Sequence, residues 1–185
     1  MRKKLMSLGL VIFTLMVLLS TSNFQMPTEL GEEAQIDWLT FEEAVALNQQ
    51  NPKKIFIDVY TDWCGWCKVM DKNTFSHPTI AKFIKSRYYA VKFNAEQKED
   101  INFRGHTFKF VPNGRRGYHE LASTLMNGRM SYPTVVFLDE EMNLITPVPG
   151  YQKPKEFFKI LSFIGDNKYK SQNWQEFDKG YESPF

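Results

Sequence analysis

Cys64 and Cys67 are the only cysteines of the 185-residue sequence, and two residues separate them. On the first turn of a helix, this spacing places both sulfurs close enough to form a disulfide or to share one thiolate. The unpaired N–H groups and the positive end of the helix dipole stabilise an anion there. We therefore predict thiol–disulfide exchange in which Cys64 attacks as the nucleophile and Cys67 resolves the resulting mixed disulfide.

Other uses of a Cys-x-x-Cys pair fit the sequence less well. A structural zinc site requires four ligands, and there is neither a second cysteine pair nor a His-x3-5-His spacing. Covalent haem attachment requires a histidine directly after the second cysteine, where Lys68 stands. Two cysteines merely buried in a helix remain an alternative, which the flanking Trp63 and Trp66 do not favour. We predict no metal and no organic cofactor.

A buried strand and a helix are predicted on either side of the pair. Lys54 to Tyr60 is nearly continuously apolar and contains β-branched residues, which is typical of a central strand covered on both faces. The residues after the cysteines have helical composition up to about Asn73, and another helix is predicted to start at Ser76. Tyr88 to Asn94 predicts a second buried strand, so the unit is β-α-β and its strands are parallel.

The rest of the chain predicts further strands and helices of an α/β fold. They are a strand over Ala34–Leu39, a helix that starts at Thr40 with capping-box spacing to Glu43, a helix from Tyr118 to Met126, an antiparallel pair of strands over Pro133–Leu138 and Leu144–Val148, a core helix carrying Phe157, Phe158, Leu161 and Ile164, and a small helix over Asn173–Lys179. Together they predict a central mixed β-sheet flanked by helices.

Two segments resemble the active site of a known family. Residues 58–68 (Asp-Val-Tyr-Thr-Asp-Trp-Cys-Gly-Trp-Cys-Lys) resemble the active-site segment of thioredoxin-like proteins, and residues 131–134 (Ser-Tyr-Pro-Thr) resemble the segment that holds the family's cis-proline. The resemblance covers roughly residues 34–165. In the residues around the cysteines, the chain is similar to exported bacterial thiol:disulfide oxidoreductases with a Trp-Cys-Gly-Trp-Cys-Lys core. It implies a thioredoxin-like fold and protein-disulfide oxidoreductase activity.

The resemblance also implies roles for charged residues near the cysteines. Asp58 matches a buried acid beneath the second cysteine, where burial raises the pKa of the carboxyl and suits it to relay a proton to or from Cys67. A solvated carboxylate on an edge strand is the alternative. Lys92 and Lys68 are expected to tune the pKa values of the site, although a surface lysine explains Lys92 as well.

Substrate binding is expected beside the cysteines and around the cis-proline. If the Tyr132–Pro133 bond is cis, the Tyr132 backbone is free to pair with an extended substrate. Gly150 matches a family glycine beside the substrate groove, although a plain turn also explains it. The full set of candidate substrate-binding residues is Trp63, Gly65, Trp66, Tyr132, Pro133 and Gly150.

The sequence departs from thioredoxin at two places. Gly65-Trp66 replaces the Gly-Pro typical of thioredoxin, and this dipeptide influences the reduction potential. Three functions therefore stay open. The protein reduces or isomerises disulfides, it introduces disulfides as an oxidase, or it is a redox-responsive binding module for one partner. An insertion at about 97–117, before the cis-proline segment, carries the side chains Arg104, His106, Arg115 and Arg116 and is either a partner-docking flap or a solvated loop. His77 and His119 are expected to be structural or surface residues.

The N-terminal residues predict export. Arg2, Lys3 and Lys4 precede an apolar run from Leu5 to Leu19, which is shorter than the roughly 20 residues of a membrane-spanning helix. We expect a cleaved signal peptide over 1–22, with an uncleaved membrane anchor as the alternative. Its removal takes away three basic groups and changes the formal charge from +2 to −1, which does not suggest a nucleic-acid surface.

These observations define the expected organisation and partners. After the signal peptide come a linker over 23–33, a thioredoxin-like domain over 34–165 and a C-terminal extension over 166–185 with a short helix. We expect a periplasmic monomer that acts on disulfide-containing exported proteins, binds no nucleic acid and receives electrons from a membrane thiol relay.

Overall fold

The computed structural model describes residues 35–185, which form a central sheet, its helices and two hairpins. In chain order the elements are β1 (Trp38–Leu39), α1 (Phe41–Gln50), β2 (Lys54–Tyr60), α2 (Gly65–Met70), a π-helical turn (Asp71–Phe75), α3 (Pro78–Arg87), β3 (Tyr88–Asn94), β4 (Ile101–Phe103), β5 (His106–Phe108), β6 (Phe110–Asn113), β7 (Arg116–His119), α4 (Glu120–Leu125), β8 (Thr134–Leu138), β9 (Leu144–Pro149), α5 (Pro154–Gly165), a 3-10 turn (Lys168–Lys170) and α6 (Trp174–Gly180).

Five strands form one mixed sheet in the order β1-β3-β2-β8-β9. β2 is central and runs parallel to β3 on one side and antiparallel to β8 on the other. In this register Asp58 lies opposite Lys92 on β3 and Val135 on β8. The predicted α/β fold with a central mixed sheet flanked by helices is confirmed, and so are the parallel β2–β3 pair and the antiparallel β8–β9 pair.

The two faces of the sheet are covered by different helices. Ile55, Ile57 and Val59 point to one face, where they pack with buried residues of α1 and α4. Phe56 points to the other face and packs with buried residues of α2, α3 and α5. Because side chains alternate along a strand, Asp58 points to the same face as Phe56, toward the layer that contains α2.

Local sequence signals explain where several elements begin. Thr40 caps α1 with the predicted capping box, since its hydroxyl accepts from the Glu43 N–H and the Glu43 carboxylate accepts from the Thr40 N–H. Pro78 occupies the first turn of α3, where its missing N–H costs no hydrogen bond. The small C-terminal helix predicted over Asn173–Lys179 is present as α6, also with a capping box.

Two element boundaries differ from the predictions. In the described part of the predicted strand over Ala34–Leu39, only Trp38 and Leu39 pair with β3. Their partners are Ala90 and Val91. The helix predicted from Tyr118 to Met126 begins at Glu120 instead. Its first apolar residue, Tyr118, belongs to β7, where it pairs with Val111.

The segment after the cysteines stays helical beyond the predicted end at Asn73. α2 continues directly into the π-helical turn, in which the Ser76 N–H donates to the Asp71 carbonyl. The wider turn buries Thr74 and Phe75 in the core. The Thr74 hydroxyl donates to a backbone carbonyl of the loop after β9 (2.7 Å), which secures this end of the helix.

The predicted insertion over 97–117 contains two antiparallel hairpins outside the central sheet, β4–β5 and β6–β7. His119 joins them to the domain. Its backbone N–H donates to the Ala95 carbonyl (2.7 Å), and its ring contacts the Glu99 carbonyl (3.1 Å) and accepts from the Leu121 N–H (3.2 Å). The side chain is fully buried, so of the two predicted possibilities, a structural or a surface residue, His119 is the structural one.

The predicted signal peptide (1–22) and most of the linker (23–33) lie outside the described residues, as does the first residue of the predicted domain. Within residues 35–185, none of the helices has the length and apolar character needed to cross a membrane.

Candidate redox site

Cys64 and Cys67 form a disulfide at the start of α2. Their sulfurs lie 2.10 Å apart and their Cα atoms 5.3 Å apart. Cys64 is the residue that caps α2, and its Sγ accepts a hydrogen bond from the Cys67 N–H (3.1 Å). Both residues are buried, with 5% and 3% of their surface exposed. A backbone donor aimed at sulfur favours the thiolate over the thiol, so the cap is suited to a nucleophilic Cys64 once the disulfide is reduced.

Asp58 lies in the interior of β2, and its side chain is only 1% exposed. Its Oδ2 accepts from the Lys92 ammonium (2.5 Å), whereas its buried Oδ1 has no hydrogen-bond partner among the described residues. Burial raises the pKa of Asp58 to about 6, although the charge and hydrogen bond of Lys92 act in the opposite direction. The position on a central strand excludes the alternative of a solvated edge-strand carboxylate.

Lys92 connects this buried acid to the helix that carries the cysteines. Its ammonium also binds Asp71, the first residue of the π-helical turn, whose backbone N–H donates to the Cys67 carbonyl. Burial lowers the pKa of Lys92, but the two carboxylates outweigh it and the net pKa is raised. Lys92 is therefore a charged bridge between β2 and α2 and not a free surface lysine. Asp71 was not predicted from the sequence.

Two exposed tryptophans flank the disulfide, and each rests on a tyrosine. Trp63 is 50% exposed and contacts the Tyr132 ring edge-on, with ring centres 5.8 Å apart. Trp66 is 61% exposed and lies 5.4 Å from the Tyr151 ring in a tilted arrangement. Burial raises the pKa of Tyr132 to about 12, with a contribution from the Glu96 carboxylate, so its phenol stays neutral. Tyr151, the partner of Trp66, was not predicted from the sequence.

The Tyr132–Pro133 bond is cis, as the resemblance implies. The Pro133 carbonyl accepts from the Gly150 N–H (2.8 Å), which joins the proline segment to the loop after β9. Gly150 has φ +90°, a conformation that glycine adopts readily and other residues rarely do. The same loop continues into Tyr151, so the segment 131–133 and this loop both reach the tryptophans beside the cysteines.

The insertion contributes to the site through Arg116 on β7. Its guanidinium lies 4.1 Å from the centre of the Trp63 ring. Trp63 is also held at its edge, because its Nε1–H donates to the Glu96 carboxylate (3.0 Å). Arg116 was predicted only as a member of the insertion, and Glu96 was not predicted at all.

The other predicted site residues make fewer contacts. Lys68 is exposed on α2 and forms no ion pair with a described residue. Gly65 is exposed, and a Cβ built on it has no neighbour within 4 Å. The structure therefore brings the buried Cys64, Cys67 and Pro133 together with Trp63, Trp66, Tyr132 and Gly150, and it pairs the buried Asp58 with the partly exposed Lys92. Over residues 35–185, His, Cys, Asp and Glu side chains form no cluster of three or more that is suited to a metal ion.

A dithiol pair on a helix that follows the central strand of a mixed sheet, with a cis-proline segment, defines a thioredoxin-fold protein. The chain belongs to the thioredoxin-like domain family, which matches residues 41–165.

Solved structures with this fold lie at low sequence identity. A thioredoxin-fold protein from Helicobacter pylori is 23% identical, with a TM-score of 0.54 over 70% of this chain and 80% of that one. A thioredoxin from Thermus thermophilus is 20% identical, with a TM-score of 0.53 over 70% and 87%. A putative disulphide-isomerase from Bacteroides thetaiotaomicron is 21% identical, with a TM-score of 0.51 over 75% and 97%. These similarities show the fold.

Curated relatives are much longer than this chain. An uncharacterized protein of Caenorhabditis elegans, B0495.5, is 29% identical over 112 residues, which are 60% of this chain and 13% of that protein. Human spermatogenesis-associated protein 20 is 26% identical over 68 residues, or 36% of this chain and 9% of that protein. The similarity is thus confined to a small part of each relative.

Proposed function

We propose that this protein is an exported thiol:disulfide oxidoreductase that reduces or isomerises disulfides of other exported proteins through Cys64 and Cys67. The observation that carries the proposal is the hydrogen bond from the Cys67 N–H to Cys64 Sγ at the start of α2. This bond stabilises negative charge on the sulfur that must attack. The exposed Trp63 and Trp66 offer apolar surface on which a polypeptide substrate rests.

The proposed reaction is dithiol–disulfide exchange. The Cys64 thiolate attacks one sulfur of a substrate disulfide, which forms a mixed disulfide and releases the other substrate sulfur as a thiolate that takes up a proton. Cys67, after losing its own proton, attacks Cys64 Sγ and releases the second substrate thiol. Two electrons pass to the substrate, and the protein is left with the Cys64–Cys67 disulfide. An external dithiol must reduce this disulfide before the next cycle.

Asp58 is proposed to move the proton of Cys67. Its pKa of about 6 lies close enough to neutrality for the carboxyl to exist in both protonation states, which a relay requires. Its buried Oδ1 lacks a described partner and is free to take the proton. Lys92 limits how far burial raises the pKa of Asp58, and this is its proposed role in tuning the site.

Export, location and electron supply are parts of the same proposal. The basic residues before the apolar run Leu5–Leu19 support export to the periplasm. A reductase in an oxidising compartment needs a continuing supply of electrons, for which a membrane thiol relay is the proposed donor. We propose that the protein works as a monomer.

The first test is the reduction potential of the Cys64–Cys67 pair, measured in glutathione or dithiothreitol buffers with Cys64→Ser as a blank. We expect a value near that of thioredoxin, about −270 mV, for a reductase, whereas about −180 mV indicates an isomerase. A value near −120 mV indicates a disulfide-introducing oxidase and contradicts the proposed direction. If the two cysteines form no disulfide at any redox potential of the buffer, the catalytic proposal is wrong.

The second test separates an enzyme from a redox-responsive binding module. Cys67→Ser leaves the attacking thiol but prevents resolution, so it accumulates mixed disulfides with substrates, whereas Cys64→Ser accumulates none. We expect Cys67→Ser to trap many different proteins in an extract of exported proteins. Capture of one partner alone, combined with no reduction of a model protein disulfide by the wild type, favours the binding module instead.

A further inference from the structure

The β6–β7 hairpin carries two adjacent arginines, and one of them, Arg116, lies beside the tryptophan that precedes the attacking cysteine. The register of the hairpin pairs Asn113 with Arg116, so Gly114 and Arg115 form its tip. Arg115 and Arg116 are both exposed, and neither forms an ion pair with a carboxylate of residues 35–185. Two cations that form no ion pair with a described residue therefore lie at the tip of this hairpin.

Arg116 is oriented by stacking. Its guanidinium lies 4.1 Å from the centre of the Trp63 ring, and Trp63 itself is fixed by the Glu96 carboxylate and the Tyr132 ring. A guanidinium stacked on an aromatic ring keeps its in-plane N–H groups free, and these match both oxygens of a carboxylate. The hairpin thus holds a carboxylate-binding group in a set position.

The hairpin is built to hold this position. A Cβ on Gly117 meets Phe110 Cζ at 2.2 Å and the Val111 carbonyl oxygen at 2.5 Å, so the Phe110 ring packs over the bare glycine directly after Arg116. At the base of the hairpin, the buried His119 is hydrogen-bonded to the rest of the domain, because its backbone N–H donates to the Ala95 carbonyl and its ring accepts from the Leu121 N–H. Arg116 therefore lies on a hairpin that is packed internally and anchored at its base.

A further cation lies at the other end of the cis-proline segment. Arg129 lines a cavity of about 460 Å³ together with Ser131 and Thr134, the residues that flank Tyr132–Pro133. Arg129 is exposed and forms no ion pair within the described part of the chain. Arg129 is thus an exposed cation three residues before Tyr132, whose backbone is expected to pair with an extended substrate.

We propose that the β6–β7 hairpin selects substrates: Arg116 binds a carboxylate of an extended polypeptide next to the cysteine that Cys64 attacks, so that acidic disulfide segments are preferred. This inference rests on the proposed function and names its substrate class. Trp63 directly precedes Cys64, so the proposal places the residue beside a bound substrate cysteine next to the guanidinium that is stacked on the Trp63 ring.

The test uses three synthetic peptides with one internal disulfide that differ only in the residue beside the attacked cysteine, which is Glu, Gln or Lys. The measured quantity is the rate constant for their reduction by the reduced protein, divided by the rate with dithiothreitol to remove intrinsic reactivity. We expect the Glu peptide to react about five-fold faster than the Lys peptide at low salt, and the ratio to fall as salt is added.

Variants of the hairpin separate recognition from mere support of Trp63. Arg116→Gln is expected to bring the Glu-to-Lys ratio close to one, Arg116→Glu to invert it, and Arg116→Lys to keep its direction. The matched control is Arg104→Gln on the neighbouring hairpin, because that guanidinium binds the Glu141 carbonyl and the Asn143 side chain, and this variant should keep the wild-type ratio.

Two outcomes overturn the inference without touching the proposed function. One is equal reduction of the three peptides by the wild type. The other is an Arg116→Glu variant that slows all three peptides by the same factor, which assigns Arg116 only to the support of Trp63. If the wild type reduces none of the peptides and Cys67→Ser traps no protein, the proposed function itself fails.

Discussion

Asp58 Oδ2 and Lys92 Nζ lie 2.5 Å apart on neighbouring parallel strands, at positions directly opposite in the register. The carboxyl is 1% exposed, whereas the ammonium side chain is 22% exposed and also reaches Asp71. The pair is thus asymmetric, since burial acts most strongly on the acid. One lysine therefore opposes the effect of burial on the pKa of the interior acid and links this acid to the helix of the cysteines.

The first prediction concerns the effect of Asp58 on stability. The pKa of Asp58 is raised from 3.8 to about 6, so between these pH values the unfolded state has lost a proton that the folded state retains. The free energy of unfolding then falls as pH rises through this window, by about 3 kcal/mol at most, and stays lowered above it. Asp58→Asn removes this effect, so we expect it to be more stable than the wild type at pH 7 by about 1–3 kcal/mol.

Urea unfolding of the oxidised protein at pH 4, 5, 6 and 7 measures this difference. The difference between the two proteins should shrink from pH 7 to pH 4, because the pH then approaches 3.8, well below which the Asp58 carboxyl is neutral in both the folded and unfolded states. An Asp58→Asn variant that is less stable than the wild type at pH 7 contradicts the prediction.

The second prediction concerns Lys92. Its charge and hydrogen bond lower the pKa of Asp58, so Lys92→Met leaves burial unopposed and raises the pKa of that carboxyl above about 6. The pH above which stability stops falling should move upward by about one unit or more. NMR titration of the Asp58 carboxyl measures the pKa directly. Lys85→Met, which removes a lysine paired with Asp37 on the surface, is the matched control and should leave the titration unchanged.

The central strands and the chemistry of the cysteines were predictable from local sequence. Lys54–Tyr60 has the bounds of β2 because a strand buried on both faces is continuously apolar, and its one acid, Asp58, was conspicuous for that reason. Cys64 and Cys67 could be recognised as a redox pair from their spacing and from the strand that precedes them. These features depend on residues close together in the chain.

The surroundings of the cysteines were not predictable in the same way. Asp71 reaches Lys92 from 21 residues away, and Arg116 reaches Trp63 through a hairpin that follows a different strand. No local pattern encodes such contacts. Tyr118 was assigned to a helix because its spacing to the apolar residues of α4 has helical period, but its pairing with Val111 places it in β7.

The third prediction tests the packing of the hairpin. Gly117→Ala places a Cβ 2.2 Å from Phe110 Cζ and 2.5 Å from a backbone oxygen, so either the ring or the strand must move. We expect a loss of about 1–3 kcal/mol in the free energy of unfolding. Gly180→Ala is the control, because its Cβ has no neighbour within 4 Å. Equal stability of the two variants contradicts the close packing of Phe110 over Gly117.

The fourth prediction concerns His119, which joins the insertion to the domain. His119→Ala leaves the Leu121 N–H and the Glu99 carbonyl without the ring and opens a cavity beside Phe93, so we expect a loss of about 2–4 kcal/mol at pH 7.5. The exposed His106 serves as the control, and His106→Ala should change stability by less than about 0.5 kcal/mol.

The pH dependence of the His119→Ala effect follows from the buried ring. Burial lowers the pKa of His119 below 6.5, although the Glu99 carbonyl and nearby carboxylates oppose the shift. Below about pH 6.5 the unfolded state therefore binds a proton that the folded ring resists, and the stabilisation that His119 provides declines as pH falls. The stability difference between wild type and His119→Ala should thus be smaller at pH 5 than at pH 7.5. A difference that grows toward pH 5 means that the folded protein stabilises the charged ring, which contradicts a buried neutral imidazole at the base of the insertion.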